Sequence, residues 1–88
     1  MKSTFSSTSA ATIAPASVYR RNLTIFNEGA GVLHVLLGAR TAVSTTNYTT
    51  KVASGASYEV PEGFVGAVQG IFASAGSAQV TEVNETDH

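Results

Sequence analysis

Between residues 20 and 83 the apolar positions largely follow the two-residue period of β-strands, and before residue 20 they follow no period. In residues 20–27, Leu23 and Ile25 fall on one face and Asn22 and Thr24 on the other, the pattern of a half-buried strand. Asn27-Glu28-Gly29-Ala30-Gly31 supplies turn chemistry, because Asn and Gly tolerate positive φ. Residues 32–37 follow as a short apolar run broken by His34. The two strands and their turn are expected to form a hairpin.

The middle of the chain is more polar. Residues 41–54 are rich in β-branched side chains, and Val43, Tyr48 and Val52 can face inward, as suits a sheet edge or a long connection. Gly55-Ala56-Ser57 turns the chain, Tyr58-Glu59-Val60 alternates, and Pro61-Glu62-Gly63 breaks it again. Residues 64–73 carry the clearest strand: Phe64, Val68 and Phe72 share one face with Gly66 and Gly70. Glycines between aromatics leave flat patches where another backbone can approach closely. After a turn at Ala75-Gly76-Ser77, residues 78–83 are expected to close a second hairpin.

No segment has a helical period, so the predicted fold class is all-β: a small antiparallel β-sandwich or jelly-roll-like barrel preceded by an extended N-terminal arm. The predicted organisation is an arm over residues 1–19, a sandwich body over 20–83 and a polar tail over 84–88.

Composition adds two constraints. At 88 residues without cysteine, the chain has one modest core and no disulfide or thiolate site to supplement it. Its charged share of 12% is about half the usual, so Ser, Thr, Asn, Gly and Ala must cover the surface. A surface of hydroxyls and methyls is cheaper to dehydrate than a charged one, which suits a protein packed against neighbours. A net charge of −1 argues against a nucleic-acid partner, which needs a basic patch. No apolar run is long enough for a membrane helix, and none follows Lys2 as an export signal requires. The N-x-T triplets at Asn22, Asn47 and Asn84 are therefore read as by-products of a Thr- and Asn-rich chain.

Candidate chemistry is sparse. His34 sits alone among aliphatics and His88 is the last residue; a solitary imidazole in that setting reads as a core or interface residue. The carboxylates are scattered, Ser54, Ser74 and Ser77 do not match a nucleophile elbow, and no spacing fits zinc or an EF-hand. The expectation is a non-enzyme with no cofactor and no metal.

Residues 1–19 then read in one of two ways. Ser, Thr and Ala dominate them, and Pro15 removes a backbone donor, as in a disordered leader. The alternative is an arm that orders on a neighbouring subunit, with Phe5, Ile13, Val18 and Tyr19 filling small pockets and Arg20 and Arg21 pairing with acidic groups. His34 joins them as a candidate interface residue.

Several segments together resemble the small virion structural proteins of tailed phages: Asn22-Leu23-Thr24-Ile25-Phe26-Asn27 ending in a turn, residues 32–38, Gly55-Ala56-Ser57-Tyr58-Glu59-Val60-Pro61, and residues 64–73 with 78–82. That resemblance covers about two-thirds of the chain and implies a β-sandwich on a capsid or tail surface. It implies a decoration (cement) protein on the phage particle, binding the major capsid protein or other virion subunits as a homo-oligomer, a trimer or a dimer. A neck, tail or fibre-base subunit is the nearest alternative. A carbohydrate- or receptor-binding module is the alternative from another class, with Tyr48 and Tyr58 as its stacking candidates.

Overall fold

The computed structural model describes residues 2–61 and 63–84; residues 85–88 of the tail expected over 84–88, and Glu62 of the 61–63 turn, lie outside them. Among the described residues eight strands form: β1 (Lys2–Phe5), β2 (Ala11–Ala14), β3 (Arg20–Asn27), β4 (Leu33–Leu37), β5 (Thr50–Val52), β6 (Ser57–Glu59), β7 (Val68–Phe72) and β8 (Ala78–Asn84). They make two antiparallel four-stranded sheets, ordered β1-β8-β3-β6 and β2-β7-β4-β5, and no helix forms among the described residues. The all-β sandwich expected from the sequence is the observed architecture.

The order defines the topology. β1 lies beside β8, β2 beside β7, β3 beside β6 and β4 beside β5. The first half of the chain thus runs antiparallel to the second, as one long ribbon folded back between β4 and β5. Rolling that ribbon also brings β3 against β8 and β4 against β7. This is the jelly-roll arrangement, which encloses a core without closing a barrel. The four edge strands, β1, β6, β2 and β5, are only three or four residues long, which blunts the unpaired backbone they present.

Alternation is realised as read within the strands, although the run expected over residues 64–73 forms a strand only at Val68–Phe72. Leu23 and Ile25 of β3 and Ala78 and Val80 of β8 point inward from one sheet. Leu33 and Val35 of β4 and Val68 and Phe72 of β7 meet them from the other, in one continuous cluster. Each large side chain so buried contributes about 1.5–3 kcal/mol against the entropy of ordering the chain.

The pairing is not as read. Both expected hairpins are arches that carry the chain from one sheet to the other: β3 and β4 lie in different sheets, as do β7 and β8. In a hairpin, Leu23 and Ile25 would lie beside Leu33 and Val35 on one sheet. In an arch they face each other across the sandwich and exclude more water. The two arches also pack on each other. The Glu28 and Gly29 N–H groups donate to Ser77 O at 3.1 and 2.9 Å. A Cβ on Gly29 would strike the backbone of Gly76 and Ser77, and one on Gly31 would strike Ser74 and Ala75. Those glycines permit backbone contact; positive φ occurs instead at Gly38, Gly55 and Gly63.

Residues 2–5 and 11–14 are extended, but they do not stand apart from the body. β1 extends one sheet beyond β8, and β2 extends the other beyond β7. The reason lies in β7. Gly70 leaves a space that Ile13 and the Phe5 ring enter, so side chains of the chain's own N-terminal segment, rather than another backbone, fill that glycine face. Phe5 stacks on Phe72 with ring centroids 6.1 Å apart.

Residues 41–54 resolve into a connection and an edge. Only residues 50–52 form a strand, while the loop before them folds back over the outside of the β2-β7-β4-β5 sheet. Gln69 pins it there: lying between inward-facing Val68 and Gly70, its side chain points outward. Its Nε2 donates to Gly38 O and Thr41 O at 2.8 and 2.7 Å, and its Oε1 accepts from Val43 N. Val43 is buried outside the main core cluster as a result.

Candidate functional site

The sequence-derived interface residues divide into two sets. Phe5, Ile13, Arg20 and His34 are engaged within the chain's own fold, whereas Val18, Tyr19 and Arg21 lie on its surface. Pairing accounts for the first two. Arg20 is drawn in by a β-bulge between Arg20 and Asn22, which shifts the alternation so that Arg20 and Leu23 both face inward. Its Nε donates to Glu82 Oε2 at 2.7 Å, Nη1 to Gly66 O and Phe64 O, and Nη2 to Pro15 O. One guanidinium thus ties β3, β8, the 64–66 segment and the end of β2 together.

His34 points to the outer side of its sheet and is covered by the 39–49 loop. Its ring meets Tyr48 edge-on, with centroids 4.9 Å apart, and Lys51 Nζ lies 6.0 Å from the Tyr48 ring centroid. Among the described residues His34 Nδ1 is buried without a hydrogen-bond partner. Of the proposed stacking tyrosines, Tyr48 is thus engaged against His34. Tyr58 faces inward opposite Ile25 and packs on the core, and burial pushes its phenol above the usual tyrosine range.

Two surfaces remain. The first is the outer face of the β1-β8-β3-β6 sheet. Register places Thr4, Gln79, Thr81, Val83, Asn22, Thr24, Phe26, Ser57 and Glu59 on it. Among the described side chains its charges are Arg21 near the start of β3, Glu59 and, at its rim, Glu28, which accepts from Gln79 Nε2 at 2.7 Å. Phe26 and Val83 are each 42% exposed there. At the end of this face where β3 begins, Val18 and Tyr19 are 75% and 55% exposed, and Ser17 N donates to Val65 O to set exposed Val65 close by. A sheet face sparse in charge thus continues, past Arg21, into an apolar corner.

The second surface is a shallow groove of about 330 Å³ on the opposite side of the sandwich, lined by Thr12, Ala39, Arg40, Thr41, Ala42, Ala67 and Gln69. Sequence reasoning did not find it, because it exists only where the 39–42 loop meets the outer side of β2 and β7. Among the described residues no group of His, Asp and Glu side chains could hold a metal ion.

The chain matches no family model, no curated protein and no solved structure.

Proposed function

We propose that this chain is a structural subunit of a tailed-phage virion, most simply a decoration protein that binds the assembled head. The observation that carries the reading is the outer face of the β1-β8-β3-β6 sheet. It is a surface sparse in charge, with Arg21 and Glu59 among its described side chains, holding Phe26 and Val83 and running into Val18, Tyr19 and Val65. Dehydrating such a face costs little, and its exposed aromatic and aliphatic groups gain from burial. Interfaces between proteins concentrate aromatics and deplete charge at their centres, which is the composition found here.

The docking mechanism differs from the one suggested by a free arm. Phe5 and Ile13 are occupied inside the sandwich, so the sheet face and the 18–19 corner make the contact. Each copy contributes a modest area, and many copies on a repeating shell stiffen it together.

The test is sedimentation of the purified chain with heads of the phage that encodes it. Binding in register with the capsomers, together with greater resistance of the heads to heat, supports a decoration protein. A single ring of copies at the portal vertex moves the assignment to the neck or tail, and no association with any virion part overturns the reading.

A further inference from the structure

We infer that the groove behind the β2-β7-β4-β5 sheet is a second docking site, one that takes an acidic side chain of a partner protein. The inference rests on the virion-docking reading for who the partner is, and on the groove itself for what chemistry the partner brings.

The groove is built in advance of any ligand. Gln69 spends its whole amide fixing the loop backbone at Gly38, Thr41 and Val43. Asn47 braces the other side, with Nδ2 donating to Thr41 Oγ1 and to Ala42 O, both at 2.9 Å. Because the Thr41 hydroxyl oxygen already accepts, its proton is left to donate outward. Thr12, opposite Gln69 in the β2–β7 register, places a second exposed hydroxyl on the same outer face. Ala39, Ala42 and Ala67 supply methyl groups between these polar positions.

Among the described residues Arg40 is the only charged one lining the groove. It is exposed, and among the described residues it has no ion-pair or hydrogen-bond partner, whereas Arg20 is fully committed within the fold. A guanidinium fork flanked by hydroxyl donors matches a carboxylate, which accepts two parallel N–H bonds and further O–H bonds. The alanine methyls match the one or two methylenes of an Asp or Glu side chain. Among the described residues no aromatic ring lines the groove to stack on a sugar face, which favours a protein carboxylate over an acidic glycan. The site lies on the opposite side of the sandwich from the proposed head-binding face, so one copy can hold two partners at once.

The test is an NMR titration of the full chain with N-acetyl-glutamate N-methylamide, with the glutamine analogue and with glucuronate. Saturable shifts at the Thr12, Thr41, Ala42 and Gln69 amides are expected in the millimolar range with the glutamate compound. Binding should be about fivefold weaker for the glutamine analogue and for Arg40→Gln, the size of one exposed ion pair. Thr12→Val should weaken it as well, and Arg21→Gln, which removes the same charge elsewhere, should leave it unchanged. Equal shifts with the glutamate and glutamine compounds, or none with either, overturn the inference. Shifts with glucuronate alone assign the groove to acidic sugars and overturn it equally. The titration needs no phage heads, so its failure and a failure of head binding are separate results.

Discussion

Arg20 and Glu82 form a buried ion pair, Nε to Oε2 at 2.7 Å, across 62 residues of sequence. The Arg20 side chain is 2% exposed and that of Glu82 12%, so neither charge relies on bulk water. A pair of this kind stabilises little relative to an apolar pair, yet removing one partner strands the other. Arg20→Met is therefore expected to cost about 3–5 kcal/mol, as Glu82 loses its buried Arg20 partner and the Gly66 and Pro15 carbonyls lose their donor. Arg21→Met, on the exposed side of the same strand, is expected to cost about 1 kcal/mol or less. Urea denaturation of the two variants makes the comparison, and equal losses would refute the assignment of Arg20 as the internal tie.

Gly70 and Ile13 decide whether residues 2–14 belong to the body. A methyl at position 70 would collide with Ile13 Cδ1 and Cγ1 and press on the Phe5 ring. Gly70→Ala is expected to destabilise by about 1–3 kcal/mol, the usual cost of overpacking, and to open the segment to proteolysis. Adding Ile13→Ala removes the colliding atoms and should recover part of that loss. Simple additivity in the double variant would mean that the two sites do not touch.

These two relationships mark where the sequence was legible. The inward positions Leu23, Ile25, Val68 and Phe72 were readable because a two-residue period is a local property of the backbone. Sheet partners were not, since Asn27-Glu28-Gly29-Ala30-Gly31 suits an arch as well as a hairpin. What distinguishes the two is the 74–77 loop, far along the chain, which receives the Glu28 and Gly29 N–H groups. The composition of residues 1–19 left a disordered leader and an arm ordered by a neighbour both open. Docking on the chain's own body was not readable, because it depends on a missing side chain at Gly70. The groove was invisible for the same kind of reason: Thr12, Arg40 and Gln69 share no local pattern and meet only after the loop folds back.

Asn27 was readable in part. It shares the parity of Leu23 and Ile25, a signal that its amide turns inward. It is fully buried, and its Nδ2 donates to Gly31 O and Val52 O at 2.8 Å each while Oδ1 accepts from Gly29 N. Asn27→Ala would orphan two buried carbonyls, at a cost of about 3 kcal/mol in total. A loss below that of an ordinary surface substitution, measured by thermal or urea unfolding, would show that those carbonyls find other donors.

Tyr58 gives the fold an alkaline limit. Burial raises its phenol above the usual value near 10, so the folded chain holds this proton after the unfolded chain has released it. The contribution is fully present below the unfolded value and is lost as pH rises through the folded one. Stability should therefore fall from about pH 10 upward in the native chain, and less steeply in Tyr58→Phe. Urea midpoints measured across that range test the sign, and a Tyr58→Phe variant with an unaltered alkaline slope would assign the loss to another group.

Phe26 separates folding from docking. It lies on the outer face of its sheet, 42% exposed, opposite Ser57 and Gln79, so its ring contributes little to the core. Phe26→Lys should change the stability of the free chain by about 0.5 kcal/mol or less, as for most surface substitutions. At an interface the same change removes an aromatic anchor and buries an unpaired ammonium, both costly once water is excluded. Head binding is therefore expected to weaken by about thirtyfold or more, a loss of the 2 kcal/mol that defines a dominant interface residue. Ser54→Lys, an exposed loop position off this face, controls for added charge and should bind as the native chain does. If Phe26→Lys and Ser54→Lys bind alike, the contact with the shell lies elsewhere on the sandwich.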